Sequence, residues 1–270
     1  MEHFTFVTVC VLFAVFGLCI GSFCNVLVYR LPRGMNLAKP ASHCPHCDHK
    51  LAWYDNIPLL SFVILRGKCR YCGAPISPRY FIVELANCLL WLSAALVFYR
   101  VSVWFALVCA LALSVLLVMA LIDMEQMFIP DSLQIALLVL AIAGVFLDAA
   151  PWQDKLYGLL LGGGIFLLFY FLCFPLFGRE GLGFGDVKLM ACAGLLLGWK
   201  AVFVGIVIAI AIALVDIVMK RLTAPHYKGT LPRPDADEFA FAPYLAFGIA
   251  IALFFGNALA DWYAALFIVT

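Results

Sequence analysis

Two aspartates stand where apolar stretches meet turns in this 270-residue chain, and their carboxylates are suited to acid–base chemistry. Asp123 ends one apolar run, and Asp186 lies in the glycine-rich run 181–188 just before another. Two carboxylates brought together share a proton, so one can activate water while the other polarises a carbonyl. The glycines beside Asp186 would let an extended peptide approach it closely. The pattern favours aspartyl proteolysis, although the spacing alone also allows interfacial anchoring or helix capping.

Four cysteines form a second chemical pattern, C-x2-C-x21-C-x2-C, made by Cys44, Cys47, Cys69 and Cys72. Each pair can present two thiolates from one tight turn, and two such turns complete a tetrahedral metal shell. Gly73 supplies turn freedom after the second pair. We predict a structural zinc ion that folds the loop, because four cysteines leave no coordination position for a catalytic water. Disulfides are the alternative, and three neighbouring histidines could replace a ligand: His43, His46 and His49.

The composition of the chain is that of a membrane protein. Apolar residues make up 66% of the chain and charged residues 12%, against about 45–50% and 25% in soluble domains. With a mean hydropathy of +1.07, a single water-soluble core is excluded. A window of about 19 residues predicts about eight transmembrane helices. The fourth and sixth are short, so the range is six to eight: 4–28, 81–99, 101–122, 133–147, 156–177, 187–199, 201–219 and 241–267.

The basic residues predict how these spans are oriented. Lys and Arg total 17, and eight of them lie in residues 30–79. With eight spans, the side opposite that loop keeps only Arg100, Lys155 and Lys200. The positive-inside rule therefore places the cysteine loop and both aspartates at the cytoplasmic face. We predict an all-α polytopic membrane protein made of a first transmembrane helix (1–29), a cytoplasmic zinc-binding loop insert (30–80) and a transmembrane aspartyl peptidase core (81–270).

Four further charged residues lie near the spans, and their roles stay open: Glu84, Asp131, Lys188 and Asp216. Glu84 either binds the substrate, belongs to the methylation site or pairs with Arg79. Asp131 precedes an apolar run, which is typical of a helix N-cap. Lys188 either keeps a carboxylate ionised, orients a backbone carbonyl or extends its ammonium group to the interface. Asp216 has the i, i+4 spacing of a pair with Lys220.

The chain resembles the prepilin leader peptidase family over nearly its whole length. The motifs that carry the resemblance occur in the family's order: residues 21–26 with Arg30 and Pro32, the double Cys-x-x-Cys loop, Arg79-Tyr80 with Glu84, residues 123–131, and the G-x-G-D-x-K run 183–188. Cys24 stands where many members carry Leu. The resemblance implies that Asp123 and Asp186 are the catalytic pair.

The resemblance also implies a reaction, partners and a location. Such enzymes remove a short basic leader after a glycine, and they commonly methylate the new N-terminal amine with S-adenosylmethionine. The expected substrates are type IV prepilins or type II secretion pseudopilins, and the location is the bacterial inner membrane. Membrane lipid is a further partner, whereas no nucleic-acid binding is expected. The residues that would hold S-adenosylmethionine, the choice between pilus and secretion substrates, and the oligomeric state stay open.

Three other functions are compatible with parts of the pattern. An ion-coupled carrier would use intramembrane acids as cation ligands, and Asp216 would then matter as much as Asp123. A glycine-flanked aspartate at a loop edge argues against a carrier, whose sites lie near the midplane. A methyltransferase without protease activity would not need both aspartates. A presenilin-like enzyme with a similar G-x-G-D motif would cut other transmembrane proteins.

Overall fold

The described part of the computed structural model comprises residues 2–177, 183–223 and 240–268. These residues form α-helices joined by turns and one short 3-10 helix, and they contain no β-strand. The all-helical prediction is therefore confirmed. The helices are α1 Glu2–Arg30, α2 Leu60–Ile64, α3 Pro78–Phe98, α4 Val103–Gln126, α5 Asp131–Leu147, α6 Trp152–Phe177, α7 Phe184–Leu197, α8 Trp199–Thr223 and α9 Ala242–Ile268.

Six of these helices are long and apolar enough to cross a membrane: α1, α3, α4, α6, α8 and α9. The prediction of about eight transmembrane helices is therefore not confirmed. Each predicted span corresponds to a helix, but α5 has 17 residues and α7 has 14. A helix that crosses the hydrocarbon core needs about 20 residues. The two short helices fall below that length, and both carry parts of the candidate active site described below.

The chain divides into two compact units, Met1–Val118 and Met119–Thr270, and the division falls inside α4. In the first unit, a buried hydrogen-bond network links α1, α3 and the first part of α4. The amide of Asn87 donates to the carbonyl of Gly17 at 2.7 Å, and Ser114 donates to the other end of that amide at 2.7 Å. Trp91 donates to Ser114 at 2.8 Å. Buried polar groups need such partners, so this network determines how the three helices pack.

The polar residues of α1 also serve packing and loop structure. Asn25 donates to the carbonyl of Tyr80 at 3.3 Å. Arg30 is buried at the end of α1, and its guanidinium donates to main-chain carbonyls in the turn that follows: Asn36 at 3.1 Å, Leu37 at 3.1 Å and Pro40 at 2.6 Å. These contacts order the chain where it leaves the first helix.

In the second unit, α6 and α7 pack with their backbones almost in contact. A Cβ atom added at Gly158 would overlap the carbonyl oxygen of Gly194, and one added at Gly194 would overlap that of Gly158. Only glycine permits this approach. The buried ammonium of Lys155 donates to the carbonyl of Leu196 at 2.8 Å and pairs with Asp148. It thereby provides a hydrogen-bond donor for a carbonyl in the last turn of α7, where carbonyls lack intrahelical partners. This packing holds in place the helix that carries Asp186.

Candidate active site and metal centre

Asp123 lies in the last turn of α4 and is buried, with 7% of its surface exposed. Its Oδ2 accepts a hydrogen bond of 3.1 Å from the backbone N–H of Ala242, the first residue of α9. Its own carbonyl accepts the N–H of Met127, whose φ of 55° ends the helix. The first turn of a helix has N–H groups without intrahelical partners, and α9 directs one of them at this carboxylate.

Asp186 lies in the first turn of α7 and is equally buried, with 7% of its surface exposed. Its backbone N–H donates to the carbonyl of Gly183 at 3.0 Å. A helix N-terminus favours negative charge, so this position suits a carboxylate. Its side chain lies within electrostatic range of Asp123. The structure thus brings together the two aspartates that the sequence singled out, inside the second unit.

The pair has the features that acid–base chemistry requires. Two carboxylates in a poorly solvated place repel one another when both are ionised, which favours the binding of a single proton by such a pair. Such a pair can accept a proton from water through one group and donate one through the other. A carboxylate that served only as an interfacial anchor would extend toward solvent instead. Burial and proximity therefore favour chemistry over anchoring.

The turn before Asp186 holds its shape without special backbone angles. Gly183 has a φ of −70° and a ψ of 139°, which any residue can adopt. A Cβ atom added at Gly183 would lie 3.5 Å from Oδ2 of Asp186, and one added at Gly185 would lie 3.3 Å from Cβ of Ile129. Gly185 thus packs closely against Ile129, whereas Gly183 lies beside the carboxylate of Asp186 without a side chain of its own.

Gln134 is a site residue that the sequence did not reveal. It lies in the first turns of α5 and is buried, with 4% of its surface exposed. Its Nε2 donates to the carbonyl of Gly185 at 2.8 Å, and its Oε1 is buried without a hydrogen-bond partner. Most buried polar side chains have a hydrogen-bond partner, and the carbonyl of Gly185 is such a partner for this amide. The only sequence signal is a polar residue early in an apolar run.

Asp131 and Lys188 form an ion pair at the same end of these helices. Their Oδ1 and Nζ atoms are 2.6 Å apart, and both side chains are substantially exposed. The prediction that Asp131 caps α5 is wrong, because the N-cap residue is Pro130 and Asp131 is the first helical residue. The positive charge of Lys188 is directed at Asp131, so the pair ties α5 to α7 beside Asp186.

Asp216 pairs with Lys220 at 2.7 Å, as the i, i+4 spacing predicts. Tyr244 in the first turn of α9 also donates a hydrogen bond to Asp216. This contact ties the start of α9 to α8, two residues beyond the N–H that binds Asp123. Asp216 therefore has a structural partner on each side.

The four cysteine sulfurs lie within 4.8 Å of one another and form a group that could hold a metal ion. Sγ of Cys44 and Sγ of Cys72 are 3.8 Å apart. A tetrahedron with zinc–sulfur bonds of about 2.3 Å has sulfur–sulfur edges of about 3.8 Å. The described cysteines are all free of disulfides. The geometry therefore fits one metal ion bound by all four thiolates.

Both cysteine turns have the same backbone pattern. The N–H of Cys44 donates to the carbonyl of His49, and the N–H of Asp48 donates back to that of Cys44. In the second turn Cys69 bonds in the same way to Ala74 and Gly73. The residue four positions after each first cysteine has a positive φ, 53° at Asp48 and 73° at Gly73. Asp tolerates that conformation better than most residues, so the first turn forms without glycine.

The thiols of Cys47 and Cys69 have pKa values shifted in opposite directions. Backbone N–H groups of Cys72 and Tyr71 lower the pKa of the Cys69 thiol to about 7. The N–H of His49 acts in the same direction on Cys47, but desolvation and the adjacent Cys72 and Cys44 thiols raise the pKa of Cys47 to about 12. A bound cation deprotonates all of its thiol ligands. The ring of His49 packs on Tyr71 with centroids 3.6 Å apart, so it flanks the ligands.

Glu84 binds the loop that follows the first cysteine turn. It is buried on α3, and its Oε2 accepts the backbone N–H of Leu59 at 2.8 Å. Asp55, in the same loop, pairs with Arg70 at 2.7 Å. Glu84 therefore anchors the loop to the membrane helix in the first unit.

Comparison with known proteins identifies the family. Residues 15–98 match the Bacterial Peptidase A24 N-terminal domain, and residues 110–218 match the Type IV leader peptidase family. A relative from Aeromonas hydrophila, named prepilin leader peptidase/N-methyltransferase, is 35% identical over 92% of this chain and 91% of its own length. The chain belongs to the type IV leader peptidase family. The resemblance predicted from the motifs is confirmed.

Two other relatives of this leader peptidase family member have the same name. The one from Myxococcus xanthus is 39% identical over 84% of this chain and 70% of its own length. The one from Klebsiella pneumoniae is 40% identical over 68% of this chain and 83% of its own length. No solved structure matches the chain. The cysteine cluster falls within the first matched region, and both aspartates fall within the second.

Proposed function

We propose that this protein is a membrane-embedded aspartyl endopeptidase that removes the basic leader from type IV prepilins or pseudopilins. It also methylates the new N-terminus, using S-adenosylmethionine as the methyl donor. Family membership and the names of the relatives support both activities. The observation that carries the mechanism is the burial of Asp123 and Asp186 within electrostatic range of one another.

Peptide hydrolysis follows from this pair. The ionised aspartate takes a proton from a water molecule, and the oxygen of that water bonds to the scissile carbonyl carbon. At the same time the protonated aspartate donates its proton to the carbonyl oxygen. The carbon–nitrogen bond then breaks, and the leaving amine takes up a proton from the pair. The N–H of Ala242 keeps Asp123 in position through these steps, and Gln134 keeps the turn before Asp186 in place. These are positioning contacts, because neither group needs to touch the reacting atoms.

The metal of the cysteine cluster is zinc in this proposal. Cys44, Cys47, Cys69 and Cys72 would hold it, and it would supply folding energy to the loop. Four thiolates fill a tetrahedral shell, so the ion has no position for a reacting water. Methyl transfer depends on S-adenosylmethionine, and no described residue is assigned to binding that cofactor.

The protein lies in the bacterial inner membrane, with the aspartates and the cysteine loop facing the cytoplasm. The distribution of Lys and Arg supports this orientation. The basic leader of a precursor remains on that side, where the two aspartates would meet the peptide bond that follows it. Single-cysteine labelling of the loop in intact and permeabilised cells tests the orientation, and labelling in intact cells by an impermeant reagent would contradict it.

The test separates the two activities. The protein in proteoliposomes is given a full-length prepilin, and the variants are Asp123→Asn, Asp186→Asn and the matched control Asp216→Asn. We expect the first two to lose cleavage while Asp216→Asn keeps it. Methylation is measured separately with a pre-cleaved pilin and S-adenosylmethionine labelled in its methyl group. Cleavage that survives either catalytic replacement contradicts the mechanism, and absent methylation in wild type contradicts the second activity alone.

A further inference from the structure

An apolar surface on the cysteine-loop side of the first unit has no role in the proposed chemistry. It is formed by the 3-10 helix Trp53–Asn56, the short helix α2 and the turn between them, which we call the apolar loop segment (residues 53–64). Four large apolar residues of this segment have more than half of their surface exposed: Trp53 80%, Leu60 52%, Val63 60% and Ile64 63%. A soluble loop rarely presents such a continuous apolar surface.

Two contacts hold this segment against the side of α3. The carboxylate of Glu84 accepts the N–H of Leu59, which adopts a φ of 57° directly before α2. The ring of Phe62 packs on that of Phe81 with centroids 5.4 Å apart. Both anchor residues lie in the first two turns of α3. The segment therefore lies beside α3, at the level of its first two turns and not beyond its N-terminal end.

The length of α3 sets the depth of the segment in the bilayer. The 21 residues of α3 measure about 31 Å at about 1.5 Å per residue. The hydrocarbon core is about 30 Å thick. Nearly the whole length of α3 is therefore required to cross the hydrocarbon core. Glu84 lies about 9 Å from the start of the helix along its axis. A segment bonded to Glu84 is thus at the level of the acyl chains next to the headgroups.

The charges of the segment agree with that location. Its only charged residue, Asp55, is buried and paired with Arg70. Three basic residues near its two ends in the chain are exposed: Lys50, Arg66 and Lys68. Basic side chains at this level attract anionic headgroups. Tryptophan is enriched at the membrane interface, where its ring is apolar and its N–H reaches polar groups.

We propose that the apolar loop segment is an interfacial membrane anchor whose exposed face lies in the leaflet nearest the cysteine cluster. Its partner is lipid, with acyl chains around Trp53, Leu60, Val63 and Ile64 and anionic headgroups at the flanking basic residues. The segment is continuous with the lipid-facing surface of α3, where Ile82 and Leu89 are exposed. The loop that carries the cysteines is thus held at the membrane surface. The inference does not depend on the proposed reaction.

Quenching of Trp53 fluorescence tests the anchor. The full-length protein is reconstituted in vesicles of phosphatidylcholine and phosphatidylglycerol, with or without lipids brominated near the top of the acyl chains. Subtracting the emission of Trp53→Phe from that of wild type isolates Trp53. We expect brominated lipid to remove most of this signal and aqueous iodide to remove little. The matched control is Trp104→Phe, because Trp104 is 67% exposed in the first turn of the spanning helix α4.

Two results would overturn the proposal. Trp53 could be quenched by iodide and unaffected by brominated lipid, which would place the segment in water. Alternatively, iodide could quench Trp53 until a prepilin is added. That result would show that the surface binds the protein substrate and not lipid. A second variant, Val63→Ser with Ile64→Ser, tests the patch itself. We expect it to expose Trp53 to iodide while metal content stays that of wild type, since neither residue lies in a cysteine turn.

Discussion

The cysteine cluster and the aspartate pair place their side chains by different means. The four cysteines lie within residues 44–72, and each pair is shaped by hydrogen bonds between residues four or five positions apart. The aspartates lie on α4 and α7, and Asp123 is held by an N–H that is 119 residues away in the chain. The first centre depends on local turns, whereas the second depends on how four helices pack. The two centres should therefore respond differently to the same kinds of change.

The largest effect is expected at the aspartates themselves. Asp123→Asn or Asp186→Asn keeps the shape of the side chain but removes the acid–base function of the pair. We expect cleavage to fall by at least about 1000-fold, which is the middle of the range of about 100-fold to 10000-fold that general acid–base groups contribute. Metal content should not change, because the cysteine turns use none of the contacts made by these residues. The measurements are prepilin cleavage and elemental analysis of the same preparation.

An aspartate variant that also loses its metal would contradict the independence of the two centres. It would show that the two centres fold as one unit, contrary to the local character of the turns. Asp216→Asn serves as the control, since it changes a half-buried aspartate that is not a member of the catalytic pair.

The second effect concerns the cysteine cluster. Cys69→Ser, or a chelator that removes the metal, should abolish stoichiometric zinc binding, because three thiolates cannot complete the shell. We expect faster amide hydrogen exchange in residues 42–51 and 67–76, where the turns lose their cross-link. Exchange in α7 should not change. Cys192→Ser is the control, since that buried cysteine lies on α7 outside the cluster.

The third effect tests the long-range support of the aspartate turn. Gln134→Leu removes the hydrogen bond to the part-buried carbonyl of Gly185, and one such bond contributes about 0.5–1.5 kcal/mol. We expect kcat for cleavage to fall about tenfold or more while KM changes little, because the turn that carries Asp186 is displaced. Single-turnover cleavage measures this effect directly.

Gln134→Glu distinguishes the hydrogen bond from simple packing. Glutamate has the same size but cannot donate when ionised, so it should reproduce the loss seen with leucine at high pH. Protonation restores a donor, and activity should recover as the pH falls. A leucine variant with wild-type kcat would show that the contact to Gly185 is not needed.

The smallest effect is expected at the ion pair of Asp131 and Lys188. Both side chains are well exposed, and such pairs contribute about 0–1 kcal/mol. Asp131→Asn and Lys188→Met should each change cleavage less than about fivefold, in line with that energy. A double-mutant cycle with both changes measures the coupling. A coupling far above 1 kcal/mol would mean that Lys188 acts on the reaction, as its place in the G-x-G-D-x-K run also allows.

The sequence by itself was sufficient for features that depend on composition or on short spacing. The apolar fraction predicted a membrane protein, and the lengths of the apolar runs predicted its helices. The spacing of the cysteines predicted a cluster whose sulfurs do meet. The i, i+4 spacing predicted the pair of Asp216 and Lys220. A turn or a helix determines such contacts through its own geometry, so no knowledge of the remaining chain is needed.

Other features depended on packing between distant elements. The N–H of Ala242 at Asp123, the amide of Gln134 at Gly185 and the position of the apolar loop segment beside Glu84 all belong to this class. Residue spacing also led to a wrong N-cap at Asp131, because Pro130 takes that position. The spanning helices are mostly apolar on every side, so the period of their apolar residues does not identify the face that packs against a neighbour. Only the tertiary structure decides which backbone N–H meets a carboxylate and which apolar face remains for the lipid.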